Sequence, residues 1–327
     1  MTDTYFEDAT HETDLTGNEA IGATSDPSGS PSDVYTTPAD IAAYTMSVNG
    51  KISPTVTSNN LTVALKTLSG TYPSASDPVK FNINGTIRTV TSALSVTCNA
   101  ATNWMNLGAA EHATNENDIF AYIGYNATDG VVLGISRIPC AGQYSNFSTT
   151  STDETYARIS TITTAASTDP YFVIGRFAAT LSAGAGYTWT VPTYTPSNLI
   201  QHPVYETRWL VCDPVITGNS PLVVDSYAVN TCLYKLDSTS CIYLARVDTI
   251  DTSGTADNTL FANYPISPTD IFMPGAGQYA DGGSQLLMQV YVLNSTNLRF
   301  RKYDNSNWDN AAEDIRLFWS VEYPIQS

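Results

Sequence analysis

The chain has 327 residues, and 14 Lys and Arg against 31 Asp and Glu give it a formal net charge of −17. Charged residues make up only 14 % of the chain, well below the roughly 25 % of an average soluble domain. So acidic a chain cannot neutralise many phosphates, which argues against a nucleic-acid-binding groove. No apolar run approaches the roughly 20 residues that span a bilayer, and we expect neither membrane insertion nor a secretory signal at the N-terminus.

Residues 1–50 differ in composition from the rest of the chain. Residues 1–36 are acidic and then rich in Gly, Ser, Pro and Asp, and such a segment cannot bury enough apolar surface to fold alone. Thr37 followed by Pro38 and Asp40 is typical of a helix N-terminus, because these residues cap the helix, fit its first turn and complement its dipole. We therefore predict an irregular anchoring segment that contains one short helix and docks on another protein.

Beyond residue 50, short alternating apolar segments separated by Gly, Asn and Asp turns predict strands. Asn84-Gly85 is a strong signal for a two-residue hairpin turn between residues 81–83 and 86–90. The other predicted strands are residues 119–125, 131–138, 171–177, 232–236, 241–247, 286–293, 298–303 and 315–323.

The predicted fold class is all-β: two antiparallel β-sandwich or barrel-like domains follow an irregular N-terminal anchor with one short helix. The first domain spans residues 51–211 and the second spans residues 212–327, because prolines and a polar loop interrupt the strand pattern near this boundary. Two Gly-Ala-Gly sequences, at residues 184–186 and 275–277, are predicted to be tight loops between strands.

Residue types that carry out catalysis or bind metals are scarce. The chain has three histidines and five cysteines, and it contains no HExxH, GxSxG, P-loop or CxxC motif. We expect the cysteines to be reduced, buried thiols that behave as small core residues. Cys232 and Cys241 could face each other across a hairpin, but their spacing does not establish a bond.

Carboxylates are the remaining chemical candidates. Glycoside cleavage needs two carboxylates on opposite sides of a sugar bond, and no spacing in the chain singles out such a pair. Asp248, Asp251 and Asp257 offer the oxygen ligands that Ca²⁺ prefers, but their spacing does not match an EF-hand loop, which favours an ordinary polar loop. We therefore expect no enzymatic activity, no catalytic or metal-binding residues and no cofactor.

Tyr303, Asp304, Asn305, Asn307 and Trp308 form a candidate recognition site. Tyr and Trp offer rigid, flat faces, and Asn and Asp offer adaptable hydrogen bonds, a mixture that suits contacts to sugars or to protein surfaces. We predict that these residues contact a receptor. The alternative is an ordinary β-turn in which the tryptophan packs onto the sheet.

Much of the chain resembles a β module that recurs in bacteriophage tail-fibre and other virion appendage proteins. The segments that carry the resemblance are residues 118–129, 136–139, 174–192, 198–201 and 205–209. Residues 15–19, 25–29 and 37–44 resemble the start of such proteins, and residues 298–304 with Trp308 are similar to their distal β-sandwich tips. The chain departs from the family at residues 210–216, where a Gly/Ser/Thr-rich run is usual, so the choice of receptor does not carry over.

The resemblance implies a structural component of a bacteriophage virion, a tail fibre or tail appendage that mediates host-surface attachment. Residues 1–50 would anchor the chain to other virion proteins, residues 51–211 would form a carrier module, and residues 212–327 would form a tip that contacts a host-surface glycan or protein. The resemblance also implies a homo-oligomer, with a trimer as the expected order, that is part of the virion and assembles in the host cytoplasm. The candidates for virion docking are Tyr5, Phe6, Leu15 and Ile21.

Two alternatives remain open. Such modules are shared with head and neck proteins, so the chain could be a collar, decoration or head-fibre protein without a receptor role. A glycan-degrading tail spike is the second alternative, but the sequence lacks the long parallel-β repeat expected of spike solenoids.

Overall fold

The structure is a computed structural model in which β-strands account for most of the described residues. It describes residues 21–24, 33–36, 49–139, 147–150, 152–154, 157–161, 169–184, 186–193, 206–237, 239–269, 274–281, 284–294, 296–308 and 315–325. The helix predicted after Thr37 and the docking candidates Tyr5, Phe6 and Leu15 lie outside these residues, whereas Ile21 begins the first strand. Within these ranges, no helix is long and apolar enough to cross a membrane.

The strands are numbered in chain order. The first fourteen are β1 (Ile21–Thr24), β2 (Asp33–Thr36), β3 (Gly50–Thr57), β4 (Asn60–Thr67), β5 (Val79–Ile83), β6 (Thr86–Val90), β7 (Leu94–Cys98), β8 (Asn117–Asn126), β9 (Gly130–Ser136), β10 (Phe147–Ser148), β11 (Ala157–Ile159), β12 (Tyr171–Ala179), β13 (Leu181–Ser182) and β14 (Thr188–Trp189). The others are β15 (Leu210–Val211), β16 (Ile216–Gly218), β17 (Leu222–Leu236), β18 (Ser240–Gly254), β19 (Leu260–Asn263), β20 (Pro274–Asp281), β21 (Ser284–Val292), β22 (Asn297–Lys302) and β23 (Ile315–Pro324). A 3-10 turn spans Trp104–Asn106.

The strands between residues 50 and 98 form a three-stranded sheet, in the order β3-β4-β7, and the separate hairpin β5-β6. Asn84 and Gly85 join the two strands of the hairpin with φ angles of 50° and 77°. Positive φ at both turn positions matches the twist of the flanking strands. The hairpin predicted from Asn-Gly is therefore confirmed.

A five-stranded sheet, in the order β10-β11-β9-β8-β12, forms the middle layer of the fold. Nearly every side chain of strand β8 is buried. Successive side chains of a strand point to opposite sides, so β8 is buried on both faces. Ile119 and Ile123 enter a core shared with the preceding sheets, whereas Phe120 and Tyr122 enter a core shared with the sheet that follows. The middle sheet therefore lies between two other layers.

The last nine strands form one antiparallel sheet, in the order β15-β17-β18-β23-β20-β21-β22-β19-β16. Only a three-residue turn, residues 219–221, separates β16 at one edge from β17 near the other edge. The two edges must therefore come close, and the sheet curls around its own core. Along β23, buried apolar side chains alternate with outward ones, as the sequence predicts.

The predicted all-β fold class with antiparallel sheets is confirmed, and one short parallel pair, β10 with β11, is the exception within the described residues. Strands β8, β9, β12, β17, β18, β21, β22 and β23 correspond to the predicted strands. Strand β17 is longer than predicted. Residues 223–230 carry no strand signal in the sequence, because they are mostly exposed on both faces and have no alternating pattern.

The hydrophobic core is continuous across the predicted domain boundary at residues 211 and 212. Phe120 and Tyr122 of the middle sheet belong to the same buried cluster as Tyr234 and Tyr243 of the nine-stranded sheet. Strand β15, which precedes the boundary, pairs with β17, which follows it. The middle and nine-stranded sheets are thus packed against each other rather than separated by an exposed linker.

The two Gly-Ala-Gly sequences have different positions in the fold. Gly184 and Gly186 lie between β13 and β14, where a loop was predicted. Residues 275–277 lie inside strand β20, so the prediction of a loop there is wrong. A Cβ on Gly277 would lie 2.6 Å from both Met288 Cε and Val290 Cγ2. The glycine is therefore required by side-chain packing and not by a turn.

The described cysteines are buried, free thiols, as predicted: Cys98, Cys212, Cys232 and Cys241. Cys232 and Cys241 do not face each other, because the strand register places Cys232 opposite Ala245 and Cys241 opposite Leu236. The backbone N–H of Cys212 instead donates to the carbonyl of Cys232 at 3.2 Å.

Candidate ligand-binding cleft

The outer face of the nine-stranded sheet carries an open cleft of about 710 Å³. Strand β20 forms its floor through residues 274–278, and the strands on either side form its walls. One wall consists of Thr231, Leu244, Arg246 and Phe318, and the other consists of Leu287, Gln289, Tyr291 and Tyr303. The wall residues are half-buried or exposed, so their side chains stand on the side of the sheet opposite its core.

The floor is low at its centre because the outward side chain there is small. Ala276 faces outward between Gly275 and Gly277, which face the core, so only a methyl group rises from the middle of β20. Pairing to β23 and β21 on both sides keeps this strand in the interior of the sheet. Ala276 thus leaves a depression between two strands that carry large side chains.

Three side chains from different strands form a row across one end of the cleft. The register places Arg246 of β18 opposite Phe318 of β23, and Phe318 opposite Gln278 of β20. The guanidinium carbon of Arg246 lies 5.2 Å from the centre of the Phe318 ring, in the range of a cation–π contact.

The charge of Arg246 is balanced within the protein. Its Nε lies 3.0 Å from both carboxylate oxygens of Asp248. The hydrogen bonds between these two side chains therefore use Nε and not the Nη groups. Asn230 Nδ2 donates to the same carboxylate at 3.2 Å. The cleft therefore contains a guanidinium whose positive charge is matched by a neighbouring acid.

Hydrogen bonds fix the opposite wall. Tyr291 donates its hydroxyl proton to Gln289 Oε1 at 2.7 Å, and Gln289 Nε2 donates to the carbonyl of Tyr303 at 3.4 Å. These bonds orient the Gln289 amide and tie the start of the 303–308 turn to β21. The wall thus holds the Tyr291 ring and the Gln289 amide in defined positions.

The structure divides the predicted receptor-contact residues into two groups. Tyr303 is 71 % exposed and lines the cleft. Asp304, Asn305 and Asn307 are exposed on the adjoining turn. The hydroxyl and backbone N–H of Ser306 donate to Asp304, which lowers the pKa of its carboxyl group. Four of the five predicted residues therefore lie on an accessible surface beside the cleft.

Trp308 differs from the other four, because its side chain is fully buried. The ring lies 5.2 Å from the Tyr279 ring and 5.3 Å from Lys302 Nζ, and its backbone N–H donates to the carbonyl of Asp257 at 2.7 Å. A ring in this position cannot present its face to a receptor. The alternative, a turn in which Trp308 packs onto the sheet, describes the observed arrangement.

Sequence reasoning missed most of the cleft, which is built from Arg246, Gln278, Gln289 and Phe318 on four strands. Local signals existed for two parts of it. Phe318 is the large apolar residue at an outward position of the alternating β23 pattern, and Gly-Ala-Gly with no turn residues beside it fits a strand floor. Phe318 and the Gly-Ala-Gly strand line one cleft because the sheet order places β23 beside β20.

A second polar cluster lies buried between the middle sheet and the nine-stranded sheet, with Arg137 at its centre. Its guanidinium donates to Tyr234 Oη at 3.0 Å, to the carbonyl of Pro265 at 3.1 Å and to the carbonyl of Met105 at 3.4 Å. Glu154 Oε2 lies 3.9 Å from Nη1. Buried charges need such partners, because an unpaired one is strongly unfavourable.

The cluster joins residues that are distant in the chain. Tyr234 donates to Asn117 Oδ1 at 2.6 Å, and the backbone N–H of Ser267 donates to Glu154. His112, expected in a polar loop, is fully buried here with Nε2 2.6 Å from the carbonyl of Pro265. We interpret the cluster as a structural clamp between two layers, since its groups bind one another.

Stability should fall in mild acid because of His112. Burial and the charge of Arg137 hold the pKa of His112 well below its usual value. Below about pH 6.5 the unfolded chain therefore binds a proton that the folded chain does not, and the free energy of unfolding should fall by up to ~1.4 kcal/mol per pH unit.

Urea unfolding at pH 7.5, 6.5 and 5.5 measures this slope. A His112→Gln variant keeps a donor for the carbonyl of Pro265 but has no proton to bind, so its slope should be smaller. Other titrating groups are common to both proteins and cancel in the comparison. Equal slopes would show that the pKa of His112 is not depressed.

The described residues contain no group of three or more His, Cys, Asp or Glu side chains that could hold a metal ion. The buried carboxylate of Asp118 is bound by Arg208, whose Nη2 lies 2.7 Å from Oδ1 and whose Nε lies 2.9 Å from it. A carboxylate held in this way stabilises the packing of residues 206–211 against β8.

No family model, curated protein or solved structure matches the chain.

Proposed function

We propose that the protein is a structural component of a bacteriophage virion, a tail fibre or tail appendage that mediates attachment to the host surface. The observation that carries the proposal is the open cleft on the outer face of the nine-stranded sheet. Its aromatic and amide side chains suit recognition, because rigid rings supply contact area and amides supply hydrogen bonds. The resemblance of the sequence to virion appendage proteins supports the same proposal.

The packing of the described sheets suits an attachment role. A continuous core and the buried Arg137 cluster hold the nine-stranded sheet firmly on the middle sheet. A binding face on a rigid support loses little conformational entropy when it meets its ligand. In this proposal residues 1–50 contact other virion proteins and the chain assembles with copies of itself. Several copies would then convert weak single contacts into strong attachment.

Two measurements on the phage that encodes the chain test the proposal. Antibodies against residues 212–327 in the full chain should label the tail of intact particles, and purified full-length protein should bind host cells and slow adsorption of the phage. Label on the capsid without cell binding would instead support a collar, decoration or head-fibre protein. Loss of host polysaccharide during incubation would support a glycan-degrading spike.

A further inference from the structure

We propose that the cleft on the nine-stranded sheet binds a neutral oligosaccharide, an inference that rests on the proposed attachment function. Its volume of about 710 Å³ lies within the roughly 300–1,000 Å³ of small-molecule sites. The open shape suits part of a chain that continues beyond the site on either side. The ligand class follows from the side chains of the walls.

The apolar part of the lining suits the faces of sugar rings. One face of a pyranose carries C–H groups, which pack well against aromatic rings. Phe318 on one wall and Tyr291 and Tyr303 on the other provide such rings, and the floor at Ala276 leaves room between them. Tyrosines add contact area at a low cost in side-chain entropy, and the Tyr291 hydroxyl, whose proton is donated to Gln289, can still accept a hydrogen bond.

The polar part of the lining suits sugar hydroxyls. A hydroxyl is both a donor and an acceptor, and so is an amide. Gln278 offers both functions, and Gln289 keeps one lone pair and one N–H beside its bonds to the two tyrosines of its wall. The Nη groups of Arg246 add donors, because its bond to Asp248 uses Nε. These groups lie at the rim of the aromatic surfaces, which is where the hydroxyls of a stacked ring point.

The electrostatics favour a neutral ligand over a charged one. Arg246 is the charged residue among the lining residues, and its charge is matched by Asp248. None of the lining residues supplies an unmatched cation for an acidic sugar or an unmatched acid for a basic ligand. In a protein with a net charge of −17, an anionic ligand would also meet long-range repulsion at low salt.

The sheet topology disfavours an extended peptide in this site. Strand β20 is hydrogen-bonded to β23 and to β21, so its backbone groups are already paired. A peptide that adds to a sheet needs an exposed strand edge. Side chains, and not backbone groups, must therefore make the contacts at the floor and walls of the cleft.

The test is binding of the full-length protein to a panel of neutral hexose and N-acetylhexosamine oligosaccharides and to uronic-acid and phosphate-bearing counterparts. We expect binding within the neutral set. Phe318→Ala and Gln278→Ala should each weaken it by about tenfold or more, as central contact residues do. Gln285→Ala is the matched control, because this exposed glutamine lies on β21 outside the cleft and should leave binding unchanged. Thermal unfolding checks that each variant is folded.

Several results would overturn the inference. These are binding only of the acidic counterparts, absence of binding to every saccharide, an unchanged affinity in folded Phe318→Ala and Gln278→Ala, and a dimer seen by light scattering that these variants dissociate. Cell binding that survives both variants would leave the attachment function standing and remove the cleft from it. Neutral saccharide binding lost in both variants, without cell binding or tail label, would support the ligand site and remove the attachment function.

Discussion

Replacing Arg137 with alanine should lower the free energy of unfolding by about 3–5 kcal/mol, because it breaks a buried ion pair and leaves its partners unpaired. The guanidinium now serves Tyr234, two backbone carbonyls and Glu154 at once. Without it, the Glu154 carboxylate remains close to the interface with no cation beside it. A cavity between the two layers adds to the loss.

Urea unfolding followed by tryptophan fluorescence measures the effect. Arg137→Met keeps most of the side-chain volume but none of the hydrogen bonds, so it should lose less stability than Arg137→Ala and separate packing from polar contacts. Lys51→Ala is a surface control, since its Nζ bonds only an exposed carbonyl at 3.1 Å and such changes stay within about 0.5 kcal/mol. If Arg137→Ala lowered the free energy of unfolding no more than Lys51→Ala does, the interpretation of the Arg137 cluster as a structural clamp would be wrong.

Trp308→Ala should also destabilise the protein by about 3–5 kcal/mol, as large-to-small changes of buried aromatic residues do. Its ring fills the core beside Tyr279 and Lys302. Its loss would leave a cavity at the end of β22 and loosen the 303–308 turn. The same denaturant titration measures this, with the midpoint shifted to lower urea.

Tyr303→Ala is the matched comparison, five residues away on the same turn. Tyr303 is 71 % exposed, so its loss should change stability by less than about 0.5 kcal/mol. Its ring lines the cleft, so its loss should weaken ligand binding. A stable Trp308→Ala variant, or an unfolded Tyr303→Ala variant, would contradict the burial of these two rings.

Local sequence patterns identified the β5-β6 hairpin and eight further strands of this protein. Asn84-Gly85 identified a turn because only residues that tolerate positive φ fit both of its positions. The period-2 alternation in β23 identified a strand because one side of the sheet is buried and the other is not. Where both faces are exposed, as in residues 223–230 of β17, the pattern vanished and the strand length was underestimated.

The sequence by itself therefore determined the all-β class, the Asn84-Gly85 hairpin turn and the buried thiols. Tertiary structure alone decided which ring of the 303–308 turn is buried, that Gly275 to Gly277 form a strand floor, and that Arg137 meets Tyr234, 97 positions away. The physical reason is the sequence separation of the residues that interact. A turn or an alternation depends on neighbours in the chain, whereas a cleft and a buried polar cluster depend on which strands the sheet order brings side by side.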